Sequence, residues 1–276
     1  VVLHARDYPG AEGPARLPVL CLHGLTRNSA DFENLAPWIA AQGRRVLSAD
    51  IRGRGRSGYD PRPMNYNPAT YAADLLALMD AAGISRAVIV GTSMGGIIAM
   101  VMASLRPTAV VAVVLNDVGP SLNPEGLKRI GAYTGKTTAV ADWAQAARIA
   151  AAINGAAFPA FGPADWDAFA RRIFEPSPDG GLRPAYDPEI SAPIRAAGPE
   201  AIAPDITPLF LAMATGRPLL LVRGAISDLL DGTRAERMRQ LATHMAYAEI
   251  PNVGHAPTLD EPEARAAIAA FLDDVP

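Results

Sequence analysis

The chain has 276 residues and a single cysteine, Cys21, so no disulfide can close within it. Cys21 lies in the apolar run from Leu17 to Leu22 and reads as a small buried hydrophobe. Charge of one sign is also scarce: the net charge is −3 and acidic and basic residues alternate without long blocks. That balance gives nucleic acid no basic face to bind. No uninterrupted apolar run reaches the ~20 residues a bilayer span needs, so no membrane partner is expected. No basic stretch followed by an apolar one opens the sequence, so no signal peptide is expected and a cytoplasmic location is. Half the residues are apolar and 19% charged, a globular composition and not a disordered one.

What is present is a series of short apolar runs. They occupy 17–24, 44–53, 86–93, 111–119, 217–228 and 245–255. Each is rich in Val, Ile and Leu without strict alternation, as in strands covered on both faces. Helical patterns separate them over 30–42, 67–82, 94–106 and 261–273, two of them closed by Gly43 and Gly83. Strand alternating with helix predicts a doubly wound, mostly parallel α/β sheet. Residues 120–208 break the pattern: no convincing strand is visible, and aromatics sit in helical stretches. The division expected is a core of 1–119 and 209–276 with a helical insertion over 120–208.

The strand at 86–93 ends in Gly91-Thr92-Ser93-Met94-Gly95, a G-x-S-x-G sequence. In such a turn the chain passes from strand to helix within one residue. The serine is strained, and its neighbours two positions away must be small. The turn lifts the hydroxyl above the sheet edge at a helix N-terminus, where the Met94 N–H can meet developing negative charge. A dinucleotide loop would need glycine where Ser93 stands, so no cofactor is expected, and no metal.

A serine hydroxyl needs a base and an orienting third group. The four histidines are His4, His23, His244 and His255. His4 falls in an early polar strand and reads as a surface residue, and His244 sits at a helix end, where a cation suits the dipole. His255, in a loop after the last strand, is placed to reach the carboxyl edge of the sheet. For the acid, Asp228 after the 217–228 run is favoured over Asp117, whose other reading is a polar cap at the hinge into the insertion. Asp231 and Asp260 are outsiders. His23-Gly24-Leu25 ends the first strong strand; Leu25 N–H is the second candidate oxyanion donor, and His23 a structural residue. The glycine-rich Asp50-to-Ser57 segment reads as a loop shaped by local bonds of Arg52 and Ser57.

Over nearly its full length the chain resembles the α/β-hydrolase fold superfamily. The resemblance rests on His23-Gly24, the Asp50–Ser57 loop, Gly91 to Gly96, Asp228 and Gly254-His255, in the family's order. It implies Ser93 as nucleophile, His255 as base, Asp228 as its partner, Leu25 and Met94 as oxyanion donors, and a helical cap at the insertion. The expected activity is hydrolysis of a carboxylic ester or lactone, small to medium and partly hydrophobic, through an acyl-enzyme. Trp143, Phe158, Phe161 and Trp166 are candidate pocket residues. The alternatives are a carbon–carbon bond hydrolase of ring-cleavage dienoates, with Arg195 or Arg171 meeting substrate carboxylates, and a non-catalytic small-ligand sensor. Homo-oligomerisation is left open.

Overall fold

The computed structural model describes residues 1–14, 16–136, 139–198 and 204–276. In chain order the core opens with β1 (Ala5–Tyr8), β2 (Val19–Leu22), α1 (Leu35–Ala40), β3 (Val46–Ala49), α2 (Pro68–Ala81), β4 (Ala87–Thr92), α3 (Met94–Leu105) and β5 (Val110–Asn116). There follow α4 (Pro124–Tyr133), α5 (Trp143–Asn154), α6 (Pro163–Ile173), β6 (Phe174–Pro176), β7 (Leu182–Pro184) and α7 (Ala192–Ala197). The chain returns through α8 (Thr207–Ala214), β8 (Leu219–Gly224), α9 (Gly232–Leu241), β9 (Ala246–Ile250) and α10 (Pro262–Asp273).

Seven strands form one sheet in the order β1-β3-β2-β4-β5-β8-β9, parallel except for β1, which pairs antiparallel with β3. Every residue of β2, β3 and β8 is buried, the reason these strands lack polar alternation. The faces still separate with period two. Leu20, Leu22, Leu47, Ile89, Val113, Leu115 and Leu221 pack with α2, α3 and α8, whereas Val19, Cys21, Val46, Val88, Val90, Val114 and Val222 pack with α1 and α10.

Two local readings change. The helical stretch 30–42 is a short 3-10 turn at Ser29–Phe32 followed by α1. Pro37 has no N–H to give the carbonyl of residue 33, so one continuous helix cannot cross that junction. The insertion also contains strands: β6 and β7 form an antiparallel hairpin around Gly180 and Gly181, both at positive φ (91° and 69°). Three-residue strands are too short to show alternation in sequence.

The elements between β5 and α8 have an aromatic core of their own. Phe158 stacks on Phe161 (4.6 Å between centroids), and Trp166 and Phe169 close the cluster edge-on. Backbone bonds tie this layer to loops at the carboxyl ends of the sheet: Gly254 N–H to Ala157 O (2.7 Å), Gly55 N–H to Ala185 O (2.8 Å) and Asp187 N–H to Gly53 O (2.8 Å). Among the described residues no helix is long and apolar enough to cross a membrane.

The junction of β4 and α3 allows no side chain at two positions. A Cβ on Gly91 would lie 2.6 Å from the Gly95 carbonyl carbon, and one on Gly95 would lie 2.1 Å from Leu22 O. Both obstacles are backbone. Gly95→Ala is therefore expected to force α3 off β2 and cost about 1–3 kcal/mol or more. A chemical-denaturation midpoint unchanged from wild type would contradict this close approach.

Candidate active site

Ser93 caps α3 at φ 51° and ψ −116°, a conformation a non-glycine residue holds only when its surroundings impose it. Its N–H bonds Asn116 O (2.9 Å), and its own carbonyl accepts from Gly96 N–H (2.9 Å). The backbone on both sides thus fixes the hydroxyl at the carboxyl end of β4.

His255 Nε2 lies 2.9 Å from Ser93 Oγ, and His255 Nδ1 lies 2.7 Å from Asp117 Oδ2. The acid beside the imidazole is therefore Asp117, and the expectation of Asp228 is corrected. Asp117 directly follows β5, at φ 55°, with its N–H on Val222 O (2.8 Å). Its carboxylate is fully buried, accepting from Gly224 N–H (2.9 Å), Ser227 Oγ–H (2.6 Å) and the imidazole. Asp228 lies four residues beyond β8, half-exposed, with its carboxylate on the Arg129 guanidinium of α4 (2.8 Å), which holds it below the usual carboxylate range. The turn after β8 points Ser227, and not Asp228, at the site. The signal missed in sequence was adjacency: Asp117 ends the strand beside the serine's own.

Asn116 locks the arrangement. Its side-chain N–H₂ donates to Thr92 Oγ1 (3.0 Å) at the end of β4 and to Pro257 O (2.8 Å) in the histidine loop.

The expected oxyanion donors sit beside the serine. A Cβ on Gly24 would be 3.8 Å from Ser93 Cβ. The Gly24 carbonyl accepts from His23 Nδ1 (2.7 Å) and Arg27 N–H (3.2 Å). A trans peptide is planar, so fixing that carbonyl turns the Leu25 N–H the opposite way. Met94 is the first residue of α3, so its N–H has no intrahelical acceptor. His23 Nε2 in turn accepts Ile51 N–H (3.0 Å), so the ring is a neutral Nδ1–H tautomer, wholly buried. Burial pushes its pKa down to about 4. His4 is not a free surface residue: it precedes β1 and holds Asp50 Oδ2 through Nδ1 (2.8 Å). His244 Nε2 lies 3.0 Å from Arg217 O and does not line the cavity. The local bonds expected of Arg52 and Ser57 are present, Arg52 to Asp60 and Ser57 Oγ–H to Asp50 O (2.6 Å), but both also reach farther, Arg52 to Asp74 on α2 and Ser57 Oγ accepting His4 N–H (2.8 Å).

Ser93 and His255 open into a cavity of about 280 Å³. Its walls are largely apolar, with Ile130, Ile149, Ile153, Phe169, Ile173 and Phe174 from the insertion. Of the four aromatics expected here, Phe158 lines the cavity; Trp143, Phe161 and Trp166 pack in the aromatic core behind it. Arg27, Lys136 and Arg172 also line it, with Arg27 paired to Asp31 (2.6 Å) and Arg172 to Glu33 (2.7 Å). Arg171 and Arg195 do not; they pair with Asp167 and Glu189. Among the described residues no cluster of His, Cys, Asp or Glu is arranged to hold a metal.

A hydroxyl, an imidazole and a buried carboxylate in series, at a strand-to-helix elbow of a parallel sheet, define a hydrolase of the α/β type, and the chain belongs to that family. The family model described as alpha/beta hydrolase fold matches residues 18–132. A 3-hydroxybutyrate-oligomer hydrolase of Cupriavidus necator is 37% identical over 97% of this chain and 92% of its own. The 2-(acetamidomethylene)succinate hydrolase of Mesorhizobium japonicum is 27% identical over 92% of this chain and 87% of its own. A crystal structure of an alpha/beta hydrolase from Novosphingobium aromaticivorans superposes with a TM-score of 0.91, at 43% identity over 99% of this chain and 94% of that one.

His23 gives a pH signature. An unfolded histidine takes its proton near pH 6.5, the folded one only near 4. Between those values the unfolded chain binds protons the native one refuses, so stability is held above pH 6.5 and falls toward pH 4. The loss from this group is on the order of 3 kcal/mol. Urea denaturation at pH 7.0, 5.5 and 4.5 is expected to show a shallower decline for His23→Gln than for wild type. Parallel declines would show that His23 does not titrate in this way.

Proposed function

We propose that the protein is a serine hydrolase of carboxylic esters, with Ser93 as nucleophile, His255 as general base and Asp117 as its orienting acid. The observation that carries this is the unbroken series Ser93 Oγ–His255 Nε2 and His255 Nδ1–Asp117 Oδ2, at 2.9 and 2.7 Å. Ser93 Oγ attacks the ester carbonyl as its proton passes to His255 Nε2. Leu25 and Met94 N–H meet the oxyanion. Collapse expels the alcohol, which takes the proton from His255, leaving an acyl-serine. Water then attacks this acyl group with the same base, and the acid leaves as Ser93 regains its proton.

The cavity supports a short substrate with apolar flanks. Arg27 and Arg172 are held by Asp31 and Glu33, so Lys136 is the lining cation that suits a substrate with a free carboxylate, as an oligoester of a hydroxy acid has at one end. Likeness to the 3-hydroxybutyrate-oligomer hydrolase points the same way, so short 3-hydroxyalkanoate oligoesters are the substrate class proposed. The carbon–carbon hydrolase reading loses the two arginines named for it, since neither lines the cavity.

The test is turnover of p-nitrophenyl acetate and butyrate and of 3-hydroxybutyrate dimer and trimer. Ser93→Ala is expected to lower kcat by roughly 10⁴- to 10⁶-fold and Asp117→Asn by about 10⁴-fold. Asp228→Asn should stay within severalfold of wild type. An Asp228 variant as damaged as the Asp117 variant would reverse the assignment of the acid, and an active Ser93→Ala enzyme would sink the mechanism.

A further inference from the structure

The Asp50–Ser57 loop contains one side chain that local turn-shaping does not explain. Arg54 is entirely buried, an environment that costs a guanidinium its hydration and is normally offset by a carboxylate. Here every described partner of the guanidinium is neutral. Its Nε–H donates to Leu25 O (2.9 Å), one terminal nitrogen to Arg52 O and Tyr71 Oη (both 2.8 Å), and the other to Met94 Sδ (3.7 Å). Tyr71 and Tyr66 present ring faces at 4.9 and 5.6 Å. Asp187 acts on it only from farther off, its carboxylate being bound by Tyr66 Oη–H and Glu189 N–H. Arginine stays charged even so.

The two residues this side chain grips besides its own loop and Tyr71 are Leu25 and Met94. Leu25 is then pinned on both sides of its Cα. The peptide before it is held through Gly24 O by His23, and the peptide after it through Leu25 O by Arg54. Two fixed peptide planes fix φ and ψ between them, and with them the direction of the Leu25 N–H. The contact with Met94 Sδ, although weak, places the same cation against the first residue of α3.

We propose that Arg54 is a positioning residue that orients the oxyanion-binding peptides and lays behind them a positive charge that no carboxylate contacts. This rests on the ester-hydrolase reading above. Before reaction the groups in contact with the charge are dipoles, and the Asp187 carboxylate acts only from farther off. In the tetrahedral intermediate it faces an anion across a region from which water is excluded, where charges act strongly. Its benefit therefore falls on the transition state and not on the bound ester.

The experiment compares Arg54→Met, which removes charge and fork, with Arg54→Lys, which keeps charge and loses the fork. Both are read by kcat and KM for p-nitrophenyl butyrate and by the Kd of butylboronic acid, an anionic tetrahedral adduct when bound to a serine. Removing an oxyanion donor outright costs about 10²–10³-fold. Loss of its support is expected to lower kcat about 100-fold in Arg54→Met and about 10-fold in Arg54→Lys, with KM within threefold and boronate binding weakened in parallel. Variants that melt like wild type and keep kcat and boronate affinity within twofold would overturn the proposal, as would a loss carried by KM alone. If Arg54→Met does not fold, Arg54→Lys decides by the same criteria. If wild type hydrolyses no ester, the ester-hydrolase reading fails. Boronate affinity then decides Arg54 alone, and failure of wild type to bind boronate overturns both.

Discussion

The site depends on one strained residue. Ser93 holds φ at 51° because β4 and α3 leave the chain no gentler path. The strain is tolerated because Gly91 and Gly95 let the helix start against both its own strand and Leu22 of β2. Everything else is arranged around the hydroxyl thus raised. In the sheet β4 lies between β2 and β5, so the loop with Leu25 comes from one neighbour and Asp117 from the other. His255 arrives from beyond β9, its loop drawn back over β8 by Ile226 N–H on Val253 O (3.0 Å) and by Asn116 on Pro257 O. The adjacency of strands, set by apolar burial, becomes an adjacency of chemically distinct groups.

Beneath the site lies a layer of buried polar side chains: His23, Asp50, Arg54, Asn116 and Asp117. Such groups are costly unless bonded, and here His23, Arg54, Asn116 and Asp117 each direct a bond to the site, to Gly24 O, Leu25 O, Pro257 O and His255 Nδ1. The layer therefore fixes loop geometry more than it stabilises the fold. That is the expected trade where a few tenths of an ångström in a donor decide a rate.

Much of this was legible in sequence because it is local. All the sheet strands after β1 followed from Val/Ile/Leu runs without alternation, and the elbow from the spacing of Gly91, Ser93 and Gly95 around a strand end. Ser93, His255, Leu25 and the structural part of His23 could each be read from a few neighbouring residues. The acid could not, because two aspartates end runs after the serine and only strand order and turn direction separate them. A chain position says which strand Asp117 terminates, not that this strand lies against β4. The same limit applied to the cavity. Phe169 and Trp166 lie three residues apart on α6, yet one lines the cavity and the other packs behind it, a difference set by how the helix docks.

The cavity itself is divided by origin. Gly24, Leu25, Ser93 and His255 come from loops at the carboxyl ends of sheet strands, and the apolar wall from the elements between β5 and α8. These two parts meet through backbone bonds at 53–55 with 185–187 and at 157 with 254, and on the core side the bonding residues are Gly53, Gly55 and Gly254, none with room for a Cβ. Changes in the insertion can therefore reshape the wall while leaving the serine, histidine and aspartate where the sheet puts them. In this chain the wall carries aliphatic and aromatic side chains beside Lys136 and Arg172. These side chains come from the insertion, so the shape and charge of the cavity wall are set in a part of the fold separate from the loops that hold Ser93, His255 and Asp117.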